Sequence, residues 1–293
     1  MNNIKVFLKE GLEFLVDIPD NSIDLILTDP PYITSRDTGM DKWAKHVEQQ
    51  DKSSTNVKTE EEWDNYKSVG HWEQWMQEGN IPEDKRTSKL KELKTNYLKY
   101  GSIYGKKYAV KTNYGDWDSE FTMEKLQTFI NHFHRILKPG GTCIVFFDLW
   151  KISPLKEQLE SAKFKQIRFI EWIKTNPQPL NSSVNYLTNC REIALMGIKK
   201  SKPTFNSKYD NGIYSYPIQG GKHRFHPTQK SLSLFEELIK KHSNEGDIVL
   251  DCFLGSGTTA VAALKTKRKF IGCEMQEEYY EKMLKRIEFY EGE

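Results

Sequence analysis

The last third of the chain alternates between apolar runs and amphipathic segments, and this alternation constrains the fold more than any other feature. Helices are expected at about 229–242, from about residue 257, and at 276–289, and strands are expected at 247–251 and 269–274. Short apolar runs separated by helical segments are typical of parallel sheets that are covered by helices on both faces. We therefore predict an α/β fold with a doubly wound, mostly parallel sheet.

The rest of the chain supplies further elements of the same kind. An apolar run at 23–28 is stopped by two prolines, which indicates a buried strand. Apolar residues at helical spacing cover 122–138 and are followed by a Pro-Gly-Gly turn. The other predicted elements are strands at 142–147, 166–173 and 191–198 and a helix at 153–162. These elements form one expected domain, which comprises residues 1–32 and 121–293.

The segment 33–120 is long, polar and almost free of aliphatic runs. Because a structureless loop of that length is uncommon inside a compact domain, we expect an inserted subdomain or a partly mobile flap. The part at 37–84 carries many acids and four tryptophans. These tryptophans are expected to form a small core or a contact with a second subunit; they are Trp43, Trp63, Trp72 and Trp75.

Composition excludes several classes of protein. The formal net charge is only +2, so charge must be considered segment by segment. The four cysteines form no CxxC pair and no histidine cluster has metal-ligand spacing, so no metal site is expected. The chain begins without a signal-peptide pattern, and no apolar run is long enough to span a membrane. We expect a cytoplasmic protein with buried free thiols.

The tetrapeptide Asp29-Pro30-Pro31-Tyr32 follows the strand predicted at 23–28. An amino group on an aromatic base is a poor nucleophile, because its lone pair is delocalised into the ring. Two acceptors aimed at its N–H bonds would localise the lone pair; the Asp29 carboxylate and a backbone carbonyl aimed by Pro30 can supply them. Tyr32 offers a flat face for stacking. The motif suits attack of an amino group on a methyl donor, although such a tetrapeptide can also simply end a strand.

A second motif, DCFLGSGTT at 251–259, lies between a predicted strand and a predicted helix. Its glycines permit a tight turn and close approach of a ligand, and the helix N-terminus can bind a carboxylate. Glu274 follows Asp251 by 23 residues, at the end of the next strand, where an acid can bind ribose hydroxyls. Thr258 stands where a phosphate-binding loop has lysine. The motif favours an adenosine-bearing cofactor; an ordinary glycine-rich turn is the alternative.

Several segments together resemble the amino-group DNA methyltransferases of bacteria and phages. They are DNSIDLILTDPPY (20–32), LKPGG (137–141), WIKTNPQP (172–179), HPTQK (226–230), DCFLGSGTT (251–259) and IGCE (271–274). Their order resembles the β class, in which the catalytic motif precedes the cofactor motif. The resemblance implies a Rossmann-like methyltransferase sheet of the seven-stranded type with a circularly permuted motif order, and a cytoplasmic enzyme of restriction-modification.

The resemblance also implies a reaction and its site residues. S-adenosylmethionine would donate a methyl group to adenine N6 in DNA, since Asp in the first position of the tetrapeptide is typical of the adenine enzymes. The tetrapeptide 29–32 would hold the flipped base, and Asp29 would also face the cofactor. The other residues expected at the cofactor are Glu10, His226, Thr228, Gln229, Lys230, Asp251, Phe253, Gly255, Ser256, Gly257, Thr258, Thr259 and Glu274.

Two basic segments are candidates for DNA contact. Residues 85–111 carry nine cations against one acid with interleaved tyrosines, which suits backbone contact and stacking. Residues 199–225 are also basic and lie where family members commonly carry target recognition. A solvated helix face and a polar surface loop are the alternatives. The cations expected to contact DNA are Lys89, Lys91, Lys94, Lys99, Lys106, Lys107, Lys199, Lys200, Lys208 and Arg224. Asn206, Asn211 and Gln219 could contact base edges.

Several functions remain open at this point. The physics of the tetrapeptide serves cytosine N4 as well as adenine N6. Related Asn/Asp-Pro-Pro-Tyr sites modify RNA bases or protein glutamine amides, although those families usually place the cofactor motif first. An inactive DNA-binding homologue is a third possibility. The resemblance further implies DNA as partner, a homodimer, and a restriction endonuclease encoded separately.

Overall fold

The structure is a computed structural model that describes residues 3–32, 58–69, 82–100, 121–177, 189–220, 225 and 229–292. The chain divides into two compact units. The larger unit comprises Met1–Ile33 and Tyr114–Glu293, and the smaller comprises Thr34–Asn113.

The described part of the larger unit contains eight strands and six helices. The strands are β1 (Ile4–Leu8), β2 (Ile23–Thr28), β3 (Leu137–Phe147), β4 (Lys165–Lys174), β5 (Arg191–Ile198), β6 (Ile213–Tyr216), β7 (Ile248–Asp251) and β8 (Lys269–Glu274). The helices are α1 (Gly11–Val16), α4 (Met123–Ile136), α5 (Ile152–Ser161), α6 (Leu232–His242), α7 (Thr258–Lys265) and α8 (Glu277–Glu291). The smaller unit contributes α2 (Glu60–Val69) and α3 (Glu83–Tyr100).

The eight strands form one mostly parallel sheet in the order β1-β8-β7-β2-β3-β5-β4-β6. Only β5 runs antiparallel to its neighbours β3 and β4. The sheet therefore has eight strands where a seven-stranded type was expected. The two strands that the sequence did not predict, β1 and β6, are the two edge strands. Each is short and pairs on one side only, so its apolar pattern is weak: β1 is largely exposed, and β6 has four residues.

Helices cover both faces of the sheet, which confirms the doubly wound prediction. One face packs against α1, α4 and α5, and the other packs against α6, α7 and α8. Successive strand residues alternate between the two cores, as Leu25 and Ile26 show. In α4, Phe129 and Phe133 are buried at helical spacing, and full burial of such a side chain contributes roughly 1.5–3 kcal/mol. The predicted helices and strands of this unit are confirmed to within a few residues, except that β3 begins at Leu137 and includes the expected turn.

The described part of the smaller unit has a core of its own. The Trp63 side chain is 3% exposed and packs with Leu93 between the two helices. Its ring centroid lies 5.5 Å from that of Tyr97, which stacks on Tyr66 at 4.6 Å. A small aromatic core is therefore confirmed for Trp63, and the other three tryptophans lie outside the described residues.

No described helix is both long and apolar enough to cross a bilayer. Across the same residues, no group of three or more histidine, cysteine or acidic side chains is arranged to hold a metal ion. The four cysteines are free, and three of them are buried.

Candidate active site

The two sequence motifs meet at neighbouring strand ends. Strand β2 pairs with β7 in parallel, with Leu25 opposite Val249 and Ile26 opposite Leu250. Both strands therefore end at the same edge of the sheet. The Thr28 hydroxyl donates a hydrogen bond of 2.6 Å to Asp251 Oδ1, which joins the two strand ends directly. The tetrapeptide after β2 and the glycine turn after β7 consequently start from adjacent positions.

Asp29 presents one free acceptor at this edge. Its side chain is 18% exposed, and Oδ2 lies 3.0 Å from the Lys230 ammonium. Oδ1 is buried and has no hydrogen-bond partner among the described residues, which is a costly arrangement unless a ligand supplies a donor. Burial raises the pKa of Asp29 to about 6; the Lys230 charge opposes that rise and the Glu192 charge adds to it. Asp29 is thus ionised at neutral pH and can accept a donated hydrogen bond through Oδ1.

The Tyr32 ring stands beside Asp29 and is held in place by contacts on two sides. It meets Phe147 of β3 edge to face, with 6.0 Å between ring centroids. The Lys230 ammonium donates to the Tyr32 hydroxyl at 3.2 Å and lies 5.3 Å from the ring centroid. Burial, and next the Asp29 charge, raise the pKa of Tyr32 well above its usual range, so the phenol stays neutral.

Two charged residues at the site were missed by the sequence analysis. Glu192 on β5 contacts the Lys230 ammonium, and its Oε1 lies 2.7 Å from the Lys174 ammonium on β4. The only signal in the sequence is an acid and a base close to the ends of two apolar strands. That signal does not show that the two side chains pair with each other and that Glu192 contacts Lys230, because the pairing depends on the sheet register.

Buried hydrogen bonds shape the glycine turn. Asp251 accepts from Thr28, from Thr259 at 2.6 Å and from the Phe253 N–H at 3.0 Å. Gly257, with φ of +77°, immediately precedes α7. Beneath the turn, the buried Arg286 of α8 donates to the Ser256 carbonyl at 2.9 Å. Arg286 was also missed, since a single arginine in an amphipathic helix carries no recognisable signal.

Two acidic residues, Glu274 and Glu10, lie at the ends of β8 and β1 beside the glycine turn. Glu274 ends β8 and accepts from the Gly255 N–H at 2.7 Å and the Gln276 N–H at 2.8 Å. Burial raises the pKa of Glu274. Glu10 follows β1, the parallel neighbour of β8, and caps α1 by accepting from the Leu12 N–H at 2.6 Å. Both carboxylates therefore stand at the carboxyl ends of adjacent strands and also order the local backbone.

Comparison with known proteins identifies the family. Residues 23–285 match the N6/N4 methylases, a family described as DNA methylase. The chain belongs to the N6/N4 DNA methylase family. Among its relatives, the Type II methyltransferase M2.DpnII of Streptococcus pneumoniae is 34% identical over 201 residues, which cover 61% of this chain and 74% of that relative. The chain is accordingly an amino-group DNA methyltransferase that uses S-adenosylmethionine.

Solved structures agree with the fold of this DNA methylase. The structure of M1.HpyAVI as a complex with S-adenosylmethionine is 24% identical and superposes with a TM-score of 0.58, covering 97% of this chain and 98% of that chain. The PvuII DNA methyltransferase, described as cytosine-N4-specific, is 15% identical with a TM-score of 0.60, covering 99% of this chain and 94% of that chain. The shared sheet therefore occurs in a cytosine-specific enzyme, and the fold by itself does not select the base.

The glycine turn of the methylase fits its cofactor. The first N–H groups of α7 lack partners within the helix and can receive the carboxylate of a methionine moiety. Each Glu274 oxygen accepts one backbone N–H and keeps a lone pair for a ribose hydroxyl. Phe253 packs on Phe129, with 4.7 Å between ring centroids, and adds apolar surface beside the turn.

The HPTQK segment is described only in part. Lys230 lies beside Asp29, with its ammonium 3.0 Å from Oδ2. Gln229 is buried, and its Oε1 accepts from the Phe225 N–H at 3.3 Å. His226 and Thr228 lie outside the described residues.

The basic residues of the methylase are spread over several places. On α3, Lys91 and Lys99 are exposed, Lys89 pairs with Glu92 at 2.9 Å, and Lys94 pairs with Glu60 at 2.5 Å. The exposed positions of Lys91 and Lys99 agree with a solvated helix face as well as with DNA contact. Lys106, Lys107 and Arg224 lie outside the described residues.

The second basic segment requires a correction. Lys199 is buried, and its ammonium donates to Asn21 at 2.9 Å and to the Arg135 carbonyl at 3.0 Å, so it is occupied in the fold rather than free for DNA. The backbone carbonyls of Lys199 and Lys200 accept from the Gly140 N–H near the start of β3, at the sheet edge opposite to Asp29. Asn206, two residues before Lys208, binds the end of α6 near the same edge. The structure does not bring these three lysines to the site.

Replacing Asp251 with asparagine is expected to remove a pH-dependent part of the free energy of unfolding. Burial raises the pKa of Asp251 to about 6, above the unfolded value of about 3.9. The folded state therefore binds more protons between pH 4 and 6, and this contribution to stability falls as pH rises through that window. Relative to the variant, wild type should lose on the order of 2 kcal/mol of unfolding free energy between pH 4 and 6 in urea unfolding.

Asp210 is the matched control for this measurement. Although burial opposes the effect, hydrogen bonds led by that from Lys241 lower its pKa. Its contribution to stability is lost as pH falls, so Asp210→Asn should change the pH profile in the opposite sense. The account of Asp251 would be refuted if the free energy of unfolding of wild type minus that of Asp251→Asn stayed constant or increased from pH 4 to 6.

Proposed function

We propose that this chain is a site-specific methyltransferase that methylates the N6 amino group of adenine in duplex DNA. The observation that carries the proposal is the buried Oδ1 of Asp29, which has no hydrogen-bond partner in the part of the chain that the structure describes and stands at the tip of β2 beside the glycine turn of β7. An acceptor in this state stabilises a donor that arrives with the substrate. The exocyclic amino group of a flipped base is such a donor.

The tetrapeptide activates this amino group. Asp29 Oδ1 accepts one N–H, and a backbone carbonyl of the Pro30-Pro31 segment accepts the other, so the nitrogen lone pair becomes available for attack. Tyr32 stacks on the base and fixes its plane. When bound, S-adenosylmethionine supplies an electrophilic methyl group, and the nitrogen–carbon bond forms as the carbon–sulfur bond breaks with its electron pair left on sulfur. The nitrogen, now cationic, loses a proton to Asp29 or water without a strong base.

The choice of adenine rests on the first residue of the tetrapeptide. Asp29 stands there, and aspartate is typical of the adenine enzymes in the family that the sequence resembles. Methylation of cytosine N4 is the second candidate, because the cytosine-N4-specific PvuII enzyme shares the fold with a TM-score of 0.60. The same acceptors serve either amino group, so the reaction itself is unchanged.

The wider setting follows from the family relationship. M2.DpnII is named a type II methyltransferase, and by analogy we place this chain in a restriction-modification system whose endonuclease is encoded separately. A homodimer is proposed on the family resemblance. The motif order is inferred to be permuted, since Asp29 precedes the cofactor turn along the chain. Residues 33–120 are proposed to be an inserted subdomain that contacts DNA or a second subunit, and residues 199–225 are proposed to be a segment that contributes to target recognition.

The reaction is tested with methyl-labelled S-adenosylmethionine and unmethylated genomic DNA. After digestion to nucleosides, the label is expected in N6-methyldeoxyadenosine. Label in N4-methyldeoxycytidine would replace adenine with the second candidate. Label only in RNA or protein, or no label in any substrate while the cofactor binds, would overturn the proposal of a DNA adenine methyltransferase.

Neutralising exposed lysines of α3 is expected to weaken DNA binding. Base flipping requires phosphate contacts, and Lys91 and Lys99 are exposed on that helix. For Lys91→Gln with Lys99→Gln, the slope of log affinity against log salt should decrease by about 0.9 for each lost phosphate contact. Affinity for S-adenosylmethionine should not change.

The double variant of Lys200→Gln with Lys208→Gln makes the same charge change elsewhere. These lysines are exposed near the sheet edge opposite to Asp29, so the salt slope should stay that of wild type. Equal slopes for the two double variants would contradict the assignment of DNA contact to α3.

A further inference from the structure

Four charged side chains form a connected cluster around Asp29. The Lys230 ammonium contacts Glu192 and lies 3.0 Å from Asp29 Oδ2, and the Lys174 ammonium lies 2.7 Å from Glu192 Oε1. The Lys230 side chain is 7% exposed, and those of the other three are 16–19% exposed. The cluster has two anions and two cations and is neutral as a whole. It links the tip of β2 to β4 and β5, across the intervening β3.

Such a cluster is costly for stability. Removing several charges from water is offset only by close pairing, and well-packed apolar residues in their place are often at least as stable. Charged groups that are held around a largely buried carboxylate with a shifted pKa point to function rather than to stability. The cluster therefore needs an explanation in terms of what Asp29 does.

The contacts of Lys230 separate the two oxygens of Asp29. The ammonium is held from three sides, by Oδ2 of Asp29, by Glu192 and by the Tyr32 hydroxyl at 3.2 Å. None of these contacts uses Oδ1, which has no partner among the described residues. An ammonium with Asp29 as its sole carboxylate partner could bridge both oxygens. Glu192 supplies the second carboxylate and draws the ammonium to the Oδ2 side.

We propose that Glu192 is a positioning residue for methyl transfer: it anchors Lys230 so that the ammonium neutralises Asp29 through Oδ2 and leaves Oδ1 open to the substrate amino group. Lys174 balances the Glu192 charge and keeps that carboxylate in place. This inference rests on the proposed function, because it assigns Oδ1 to the amino group. It applies equally to adenine and cytosine.

The charges that face Asp29 predict the pH dependence. Among the described residues they are Lys230, which lowers its pKa, and Glu192, which raises it; the neutral Tyr32 phenol also hydrogen bonds there. Burial lowers the pKa of Lys230, but Asp29 and then Glu192 raise it well above its usual range, so the lysine remains charged. Methyl transfer requires ionised Asp29, and the acidic limb of its pH profile therefore reports this carboxyl.

The test measures single-turnover methylation of DNA against pH for wild type and two neutralising variants. Glu192→Gln removes an anion near Asp29, so its acidic limb should move to lower pH, and the plateau rate should fall by about 10- to 100-fold because Lys230 shifts towards Oδ1. Lys230→Met removes the cation, so its acidic limb should move to higher pH. A residue with only a structural role would not produce shifts of opposite sign.

Two further variants keep the test decisive if Glu192→Gln folds poorly. Glu192→Asp retains the charge and should recover part of the rate with a limb close to that of wild type. Glu171→Gln neutralises an acid on β4 whose ion pair is with Arg191. This variant should have the plateau rate and the acidic limb of wild type. S-adenosylmethionine affinity should stay within about two-fold of wild type in each, because the glycine turn is untouched.

The outcomes separate this inference from the proposed function. If wild type methylates DNA while Glu192→Gln keeps the wild-type rate and acidic limb, the role of Glu192 is wrong and the proposed function stands. Limbs that shift in the same direction for Glu192→Gln and Lys230→Met would also overturn it. If wild type methylates no DNA base, the proposed function fails first.

Discussion

Replacement of Asp29 with alanine is expected to slow methyl transfer by on the order of 10²–10³-fold, the usual effect of losing one preorganised hydrogen-bonding group at a reacting centre. The variant loses the Oδ1 acceptor that localises the amino lone pair. It retains Asp251 and the glycine turn, so S-adenosylmethionine affinity should change little. Single-turnover labelling of DNA measures the rate, and calorimetry measures cofactor binding.

Asp148 provides the control for this prediction. It follows β3, the neighbour of β2, and its carboxylate accepts from the Trp150 N–H at 3.0 Å. Asp148→Ala therefore also removes a carboxylate just beyond a strand end but leaves the Asp29 site intact, and its rate should stay close to that of wild type. An undiminished rate for Asp29→Ala, or equal losses in the two variants, would contradict the role of Asp29.

Replacement of Gly257 with alanine is expected to weaken S-adenosylmethionine binding by at least about ten-fold and to destabilise the fold. The residue has φ of +77°, and a Cβ there would lie 2.5 Å from Met283 Cγ in the buried core. The left-handed conformation costs roughly 1–2 kcal/mol for a residue with a Cβ, and crowding of the core adds a further 1–3 kcal/mol or so. Relief of the clash would move the turn that begins α7.

The variant Gly246→Ala separates the cost of the left-handed conformation from the cost of crowding in the core. Its φ is +84°, but a Cβ there would meet nothing within 4 Å. Gly246→Ala should therefore lose only the conformational part of the unfolding free energy and keep wild-type cofactor affinity. Thermal unfolding and calorimetry on both variants test the comparison. Similar cofactor affinities for the two would show that the turn at Gly257 does not hold the cofactor.

The meeting of the two motifs was predictable from the sequence because it depends on a general property of parallel sheets. A strand that ends just before Asp29 and another that ends at Asp251 must present their following residues at one edge if they run in the same direction. The strands and helices between them carry strong apolar patterns, and these patterns are enough to identify the fold class. The edge strands β1 and β6 lack such a pattern and were missed.

The cluster around Asp29 was beyond the reach of the sequence. Lys230 and Asp29 are about two hundred residues apart, and their contact depends on where the chain before α6 crosses the sheet edge. Glu192 and Lys174 face each other only because β4 and β5 pair in one register. Local patterns do not encode such registers, so the charges appear in the sequence as ordinary strand-end residues.

Lys199 was predicted to contact DNA, and the fold shows why this prediction failed. A lysine in a basic, polar stretch is usually solvated, and the sequence therefore predicted DNA contact. In the fold its ammonium is drawn back to the Arg135 carbonyl near the end of α4 and to Asn21. A cation near a helix C-terminus is stabilised by the carbonyl groups there, and that position is visible only after α4 and β5 are brought together.

A crystal structure of the protein with S-adenosylmethionine bound tests the central claim most directly, through the distance from the transferable methyl carbon to Asp29 Oδ1. An amino nitrogen at about 3 Å from each atom can bridge them only if they are no more than roughly 6 Å apart. We predict a distance within that limit, with the methionine carboxylate at the start of α7. A cofactor bound elsewhere, or a methyl group directed away from Asp29, would contradict the account.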